Sequence, residues 1–214
     1  MRAGGESRWI DIRDSFTVNL HLQTPRMFMR YSSFSSSHVA FGFLLSFAVA
    51  CASAPAPASR VAEAGAAITD ENGAPRGSAQ MWQDANSVVH VDVQLRDLPA
   101  GTHGIHFHAV GRCDGRGSTA FASAGTHYNP LGRQHGMDNP RGPHAGDAPN
   151  FTIDADGVGR ARFTTDRVSL TSGSTSLFDA DGSSIVVHST ADDQISQPAG
   201  NSGARIACGV VRRG

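Results

Sequence analysis

Seven of the ten histidines in this 214-residue chain lie between His103 and His188. Imidazole is the most widely used protein ligand for zinc and copper, so that concentration raises the question of metal binding first. His106 and His108 are two residues apart. On a β-strand, residues i and i+2 project from the same face, so both rings can converge on one ion while Ile105 and Phe107 turn inward. Further on, His127, His135 and His144 are followed by Asp147. Three imidazoles and one carboxylate can close a tetrahedral site suited to zinc. The segment that carries them is too poor in apolar residues to fold alone, and a metal would supply the missing ordering free energy. Three solvated loop histidines are the plainer alternative for this group. His188 closes the apolar run Ile185-Val-Val-His188, where it could join His106 and His108.

The elements that must position these groups read as β structure. In Val88-Val-His-Val-Asp-Val-Gln-Leu95, Val89, Val91, Val93 and Leu95 share one face while His90, Asp92 and Gln94 share the other, the pattern of a half-buried antiparallel strand. Phe151-Thr-Ile-Asp and Ala161-Arg-Phe-Thr flank Asp156-Gly157 as the arms of a hairpin would. Ile185-Val-Val-His188 and Arg205-Ile-Ala-Cys-Gly-Val-Val211 add two more strands. No helical periodicity of useful length follows residue 60. Gly- and polar-rich segments over about 109–149 and 189–204 are long enough to be functional loops. The fold class predicted is all-β, a sandwich or barrel.

Composition narrows the partners. Eighteen basic residues, every one an arginine, oppose 19 acidic ones for a net charge of −1, which excludes the basic footprint of a nucleic-acid binder. Apolar residues at 39% and charged residues at 17% describe a globular chain. Residues 31–59 hold no Asp, Glu or Arg, and residues 39–50 form an apolar run too short to span a bilayer as a helix of about 20 residues. With Arg26 and Arg30 before it and Ala48-Val-Ala50 at its end, the run has the form of an export signal, for which Met29 is a more ordinary start than Met1, with Met27 also open. Cys51 sits where a lipoprotein signal places its acylated cysteine, although the Leu usual before such a cysteine is absent; the alternative is a plain signal that loses Cys51 on cleavage. The domains expected are therefore 1–51 as extension and signal, 52–61 as an Ala/Pro-rich tether, and 62–214 as one folded unit. Residues 52–214 carry 13 Arg and 16 acidic residues, or −3, against 5 Arg and 3 acidic residues, or +2, in residues 1–51.

Five ordered motifs resemble copper/zinc superoxide dismutase of the bacterial, exported type: Gly101-Thr-His-Gly-Ile-His-Phe-His108, Ser123-Ala-Gly-Thr-His-Tyr-Asn-Pro130, His144-Ala-Gly-Asp147, Val186-Val-His-Ser-Thr-Ala-Asp-Asp193 and Gly203-Ala-Arg-Ile-Ala-Cys-Gly-Val210. The resemblance runs from about residue 62 to 211 and implies an eight-stranded antiparallel Greek-key β-barrel or sandwich with a metal-binding loop and an electrostatic loop. It implies one copper per subunit held by His106, His108, His127 and His188, and one zinc held by His127, His135, His144 and Asp147, with His127 bridging the two. It further implies Asp192 as the carboxylate hydrogen-bonded to a ligand of each metal, Arg205 as the cation that attracts superoxide, and a disulfide between Cys113 and Cys208. His103 matches a buried histidine that is not a ligand. Catalysis would rest on copper alternately reduced and reoxidised, His127 carrying a proton, and a redox-inert zinc.

The resemblance has departures. Ile105 and Tyr128 stand where many members have Phe, and residues 189–204 carry only Asp192 and Asp193 as charges, so steering rests mainly on Arg205. A copper-delivery protein on the same fold would add Cys-x-Cys or Cys-x-x-Cys pairs for soft Cu(I), and three isolated cysteines argue against it. A non-catalytic copper and zinc store in the cell envelope is the other alternative; loss of a copper ligand or of Arg205 would favour it, and neither is lost. The location expected is the periplasm or cell envelope, with or without a lipid anchor at Cys51. Monomer and homodimer both remain compatible with the sequence.

Overall fold

Residues 59–214 are described by the computed structural model, so the signal-like segment, Cys51 and the tether up to residue 58 lie outside the described residues. Alternation of buried and exposed side chains runs through the first three strands. β1 (Arg60–Thr69) buries Ala64, Ala66 and Ile68; β2 (Pro75–Asp84) buries Ala79 and Met81; β3 (Val89–Leu95) buries Val89, Val91, Val93 and Leu95. The face predicted for β3 is the one that packs inward. β1 starts at Arg60, two residues before the expected domain start. Neither β1 nor β2 stands out in the sequence, because their inward residues are mostly alanine and contrast little with the outward ones.

β4 (Gly101–His103) and β5 (Ile105–His108) are one run interrupted at Gly104. β6 (Phe151–Ile153) and β7 (Gly159–Thr165) flank the expected turn, where Asp154 Oδ1 accepts the N–H of Asp156 and Val158 at 3.0 and 2.8 Å and Gly157 takes φ 78°. That turn is a corner more than a hairpin. Only Ile153 and Gly159 pair across it, while β6 runs on beside β4 and β7 pairs with β3 over seven residues. β8 (Ser184–His188), β9 (Arg205–Val210) and the two-residue β10 (Arg212–Arg213) complete the set.

The strand order is β4-β6-β7-β3-β2-β1-β9-β8-β5, every pair antiparallel, with β10 added to β1. Since the two ends of that order, β4 and β5, are joined by Gly104 alone, the sheet closes on itself. Counting them as one run gives the eight-stranded barrel expected, plus the short β10. Closure between β1 and β9 is thin, one register pair at Thr69 and Cys208. Gly209 faces β1 there, and a Cβ would sit 2.8 Å from the Ala67 carbonyl.

Inside lie Ile68, Val89, Val93, Ile105, Phe107, Ile153 and Ile185, all nearly or fully buried, each contributing roughly 1.5–3 kcal/mol of transfer free energy. Residues 166–183 form a third long connection that the composition hides. It holds no strand, yet Val168, Leu170 and Leu177 are buried in the same core, and the buried Gln83 side chain accepts the Leu170 N–H at 2.7 Å. The other two connections, 109–150 and 189–204, leave from the ends of β5 and β8 and meet over the histidines.

Candidate metal centre

β5 buries all four of its residues. Ile105 and Phe107 enter the core, and His106 and His108 face the two loops. The first loop is stitched back along β5 by backbone bonds: Phe107 N–H to Gly146 O at 2.9 Å, Tyr128 N–H to Phe107 O at 2.8 Å and Gly146 N–H to Tyr128 O at 2.8 Å. Gly146 is required there, because a Cβ would lie 2.3 Å from the Phe107 carbonyl. This fold-back delivers His127 beside His108 and Asp147 beside His106. β8 pairs with β5 and ends at His188, whose N–H donates to Gly104 O at 2.9 Å.

Two four-residue clusters result, His106-His108-His127-His188 and His127-His135-His144-Asp147, with donor atoms all within 4.8 Å of one another in each. In the first, the outer nitrogen of each ring is engaged: His106 Nε2 with Asp192 Oδ2 at 2.7 Å, His108 Nδ1 with Gly125 O at 3.0 Å, His127 Nδ1 with Asp147 Oδ1 at 2.9 Å, and His188 Nδ1 with Ser202 Oγ at 3.1 Å. The other nitrogens point at one another. His106 Nδ1 and His127 Nε2 are buried with no hydrogen-bond partner, and His108 Nε2 and His188 Nε2 face each other at 3.4 Å. Buried polar atoms are seldom left unpaired, and four nitrogens converging in this way suit a cation that accepts lone pairs.

In the second cluster Asp147 Oδ1 lies 2.9, 3.0 and 3.4 Å from Nδ1 of His127, His135 and His144. A tetrahedron with metal–ligand bonds near 2.0–2.1 Å has edges of about 3.3–3.4 Å, so the donors sit close to the spacing a zinc ion requires. His144 Nδ1 is another buried atom without a partner. Asp147 Oδ2 accepts the backbone N–H of Gly136 and His144, both at 2.9 Å, which fixes the carboxylate. Asp192 links the clusters: Oδ2 meets His106 and Oδ1 meets His135 Nε2 at 3.0 Å. Both donor sets therefore fit the metals the resemblance implies.

Electrostatics favour neutral ligands around the first cluster. Burial, and then the neighbouring His127, pushes His108 well below the usual histidine range. Burial lowers His127 to about 4 against the upward pull of Asp147, and lowers His188 to about 3 with help from His106 and His127. Such rings keep a free lone pair. His135 differs: burial opposes its charged form, but Asp147 and Asp192 outweigh it and raise the ring to about 9. Burial also works against ionised Asp147, yet the hydrogen bonds of His127 and His135 hold its carboxyl far below the usual range, so it stays an anion. Asp147, which would hold a proton on His135 Nδ1, would equally hold a divalent cation there, while Asp192 takes the outer Nε2–H.

Arg205 opens β9 and donates from Nη1 to Phe121 O and from Nη2 to Gly125 O, both at 2.6 Å. Gly125 O thus serves Arg205 and His108 together. Burial lowers the guanidinium pKa, though an arginine remains charged in proteins. With His108, His127 and His188 it borders a cleft of about 310 Å³, walled on the far side by residues 197–203. The Cys113–Cys208 disulfide ties the first loop to β9. His103 stands apart from both clusters, Nδ1 2.8 Å from His188 O and Nε2 2.9 Å from Pro99 O, a buried structural residue as expected.

Three supporting side chains have no signal in the sequence. Gln197 brackets the His135 backbone, its Oε1 accepting the N–H at 2.9 Å and its Nε2 donating to the carbonyl at 3.0 Å. Arg167 donates to Asp147 O at 2.7 Å. Ser202 touches His188. Each contact joins residues distant in sequence, so neither spacing nor periodicity marks it.

Comparison with known proteins agrees with the geometry. The copper/zinc superoxide dismutase (SODC) family model matches residues 75–211. Superoxide dismutase [Cu-Zn] 1 of Aquifex aeolicus is 41% identical over 147 residues, 68% of this chain and 85% of that protein. Superoxide dismutase [Cu-Zn] of Caulobacter vibrioides is 39% identical over 150 residues, 69% and 84%. The crystal structure of a SOD-like protein from Bacillus subtilis aligns with a TM-score of 0.63 at 33% identity, over 68% of this chain and 96% of that one. On the strength of a match that spans nearly all of the described barrel, this chain belongs to the copper/zinc superoxide dismutase family.

Proposed function

We propose that the chain disproportionates superoxide, two superoxide anions and two protons giving one molecular oxygen and one hydrogen peroxide, at a copper held by His106, His108, His127 and His188, with zinc held by His127, His135, His144 and Asp147. The observation that carries this reading is the sharing of His127 by two complete donor sets, beside a charged Arg205 on the same cleft. Copper, when bound, supplies the one-electron exchange that neither imidazole nor zinc can provide. Arg205 draws the anion into the cleft and its two carbonyl acceptors hold the guanidinium in place. His127 presents Nδ1 to the Asp147 side and Nε2 to the copper side, and Nε2 is the atom that takes and returns a proton. Asp192 orients His106 and His135 through their outer nitrogens.

The same reading extends to the remainder of the chain. Residues 1–51 would serve export to the periplasm or cell envelope, and the residues between them and β1 as a tether to the enzyme domain; Arg26, Arg30 and the apolar run over 39–50 support it. Acylation of Cys51 would add a membrane anchor. The storage alternative gains nothing from the geometry, since no donor position of either cluster is lost.

The test is His127→Ala. Copper and zinc should be lost from the purified protein together, and superoxide decay with them. Full zinc retention in that variant would show that His127 does not belong to both sites.

A further inference from the structure

Ser202 lies in the 189–204 loop, 2% exposed, on the outer side of the His188 ring. Its Oγ is 3.1 Å from His188 Nδ1 and 2.9 Å from Ala199 O. A carbonyl can only accept, so the one hydroxyl hydrogen goes to Ala199 and the oxygen lone pair is left to accept the Nδ1–H of His188. Gly203 O shares the same Nδ1–H at the longer distance of 3.4 Å, so Ser202 Oγ is the better placed of the two acceptors.

We infer that Ser202 is a positioning residue whose hydroxyl relays a hydrogen bond from His188 to the loop, fixing the ring and lowering the reduction potential of the copper held at Nε2. The inference rests on the assignment of His188 as a copper ligand. An acceptor on one ring nitrogen selects the tautomer with the lone pair on the other, and makes that lone pair more basic. Donation of the Ser202 O–H to Ala199 polarises Oγ and improves it as an acceptor. A more basic imidazole favours the more highly charged metal, so Cu(II) gains relative to Cu(I).

The loop supports this role by its own bonds. Thr190 N–H donates to Ser202 O at 3.0 Å, and Ser202 N–H to Ala199 O at 3.3 Å, closing a tight turn under the cleft wall. The same loop carries Asp192, which holds the outer nitrogen of His106. Three rings of the first cluster thus meet outer acceptors of different chemistry: a carboxylate on His106, a hydroxyl on His188 and a backbone carbonyl on His108. A serine is the one of these three that a single side-chain substitution converts to no acceptor without removing a charge.

The experiment is a redox titration of the copper- and zinc-loaded protein beside Ser202→Ala and Ser202→Thr. At fixed potential, Ser202→Ala should move the Cu(II)/Cu(I) ratio about threefold to tenfold toward Cu(I), a rise of roughly 30–60 mV at 59 mV per tenfold for one electron. Its zinc content and circular dichroism should match the parent, and Ser202→Thr, which keeps the hydroxyl, should restore the parent ratio. A second readout needs no variant. In the reduced, diamagnetic protein the His188 Nδ1 proton should exchange slowly and show a nuclear Overhauser contact to the Ser202 Hβ protons. An unchanged ratio in a folded, copper-loaded Ser202→Ala overturns the inference. If that variant binds no copper, the proton decides: contact to Gly203 Hα with none to Ser202 Hβ overturns it as well. Failure of the unsubstituted protein to bind copper would sink the ligand assignment instead, and metal content separates the two.

Discussion

Each ring at the metal centre has two nitrogens, and the residue that takes the outer one decides what the inner one offers. Asp192 does this for two rings at once, His106 and His135, one from each cluster. Asp192→Asn keeps the shape but loses the anion, and one of its two contacts would set a ring N–H against an amide N–H. Affinity for copper and for zinc should both fall, by about tenfold to a hundredfold, measured by competition with a chelator; weakening of one metal alone would contradict the shared role. Arg205 acts on the substrate. Among the described residues it is the one arginine bordering the cleft, and residues 189–204 carry only Asp192 and Asp193 as charges. Arg205→Ala should lower kcat/KM about tenfold or more and flatten its dependence on ionic strength, with metal content unchanged. Lysine should not substitute fully, because one ammonium cannot reproduce the fork that reaches Phe121 O and Gly125 O together.

At the scale of elements, the turn between β1 and β2 has a built-in acid dependence. Asp70 receives Arg76 through Nε at 3.0 Å and Nη2 at 2.6 Å, and accepts the N–H of Asn72 and Ala74. The Arg76 hydrogen bond, followed by that of Ala74, lowers its carboxyl from the ordinary value. A carboxyl with a lower pKa in the folded state binds its proton more weakly there than in the unfolded chain. Its stabilisation is therefore complete above about pH 4, the unfolded value, and is lost as pH falls through the folded one. Asp70→Asn should leave a flatter stability curve below about pH 5 by urea unfolding; a curve that keeps the parent's acid slope would show that Asp70 is not its source. The elements also show what the sequence could convey. β3, β5 and β8 are legible because Val, Ile and Phe alternate with polar residues or pack into short apolar runs. β1 and β2 are not, since Ala64, Ala66 and Ala79 carry the inward face with little contrast. Residues 166–183 hide Leu170 and Leu177 among Ser, Thr and Gly, so their burial emerges only from contact with Gln83 and the core. The Asp156-Gly157 turn was visible, but its strands pair elsewhere, because pairing partners depend on barrel closure and not on the turn.

The described residues form a closed barrel whose β5, β8 and two loops carry the chemistry. The types of residue at the centre are readable from spacing alone for His106 and His108, and as a donor set for His127, His135, His144 and Asp147. Their convergence is not, because it depends on a loop folding back along β5 through backbone bonds and a glycine whose side chain is simply absent. Nor does spacing disclose Gln197 or Arg167, each of which braces a cluster residue through its backbone. The pairing of Cys113 with Cys208 came from resemblance; the closed loop spans 95 residues, worth about 4–5 kcal/mol in the chain-entropy account. In the function proposed, one folded unit holds copper for electron exchange and zinc for structure. The direct test is to load the protein with both metals, count them, and follow superoxide decay as each is withdrawn in turn. About one copper and one zinc per chain are expected, with decay abolished by removing copper alone and the unfolding temperature lowered by removing zinc. Both metals bound at that ratio with no superoxide decay would contradict it.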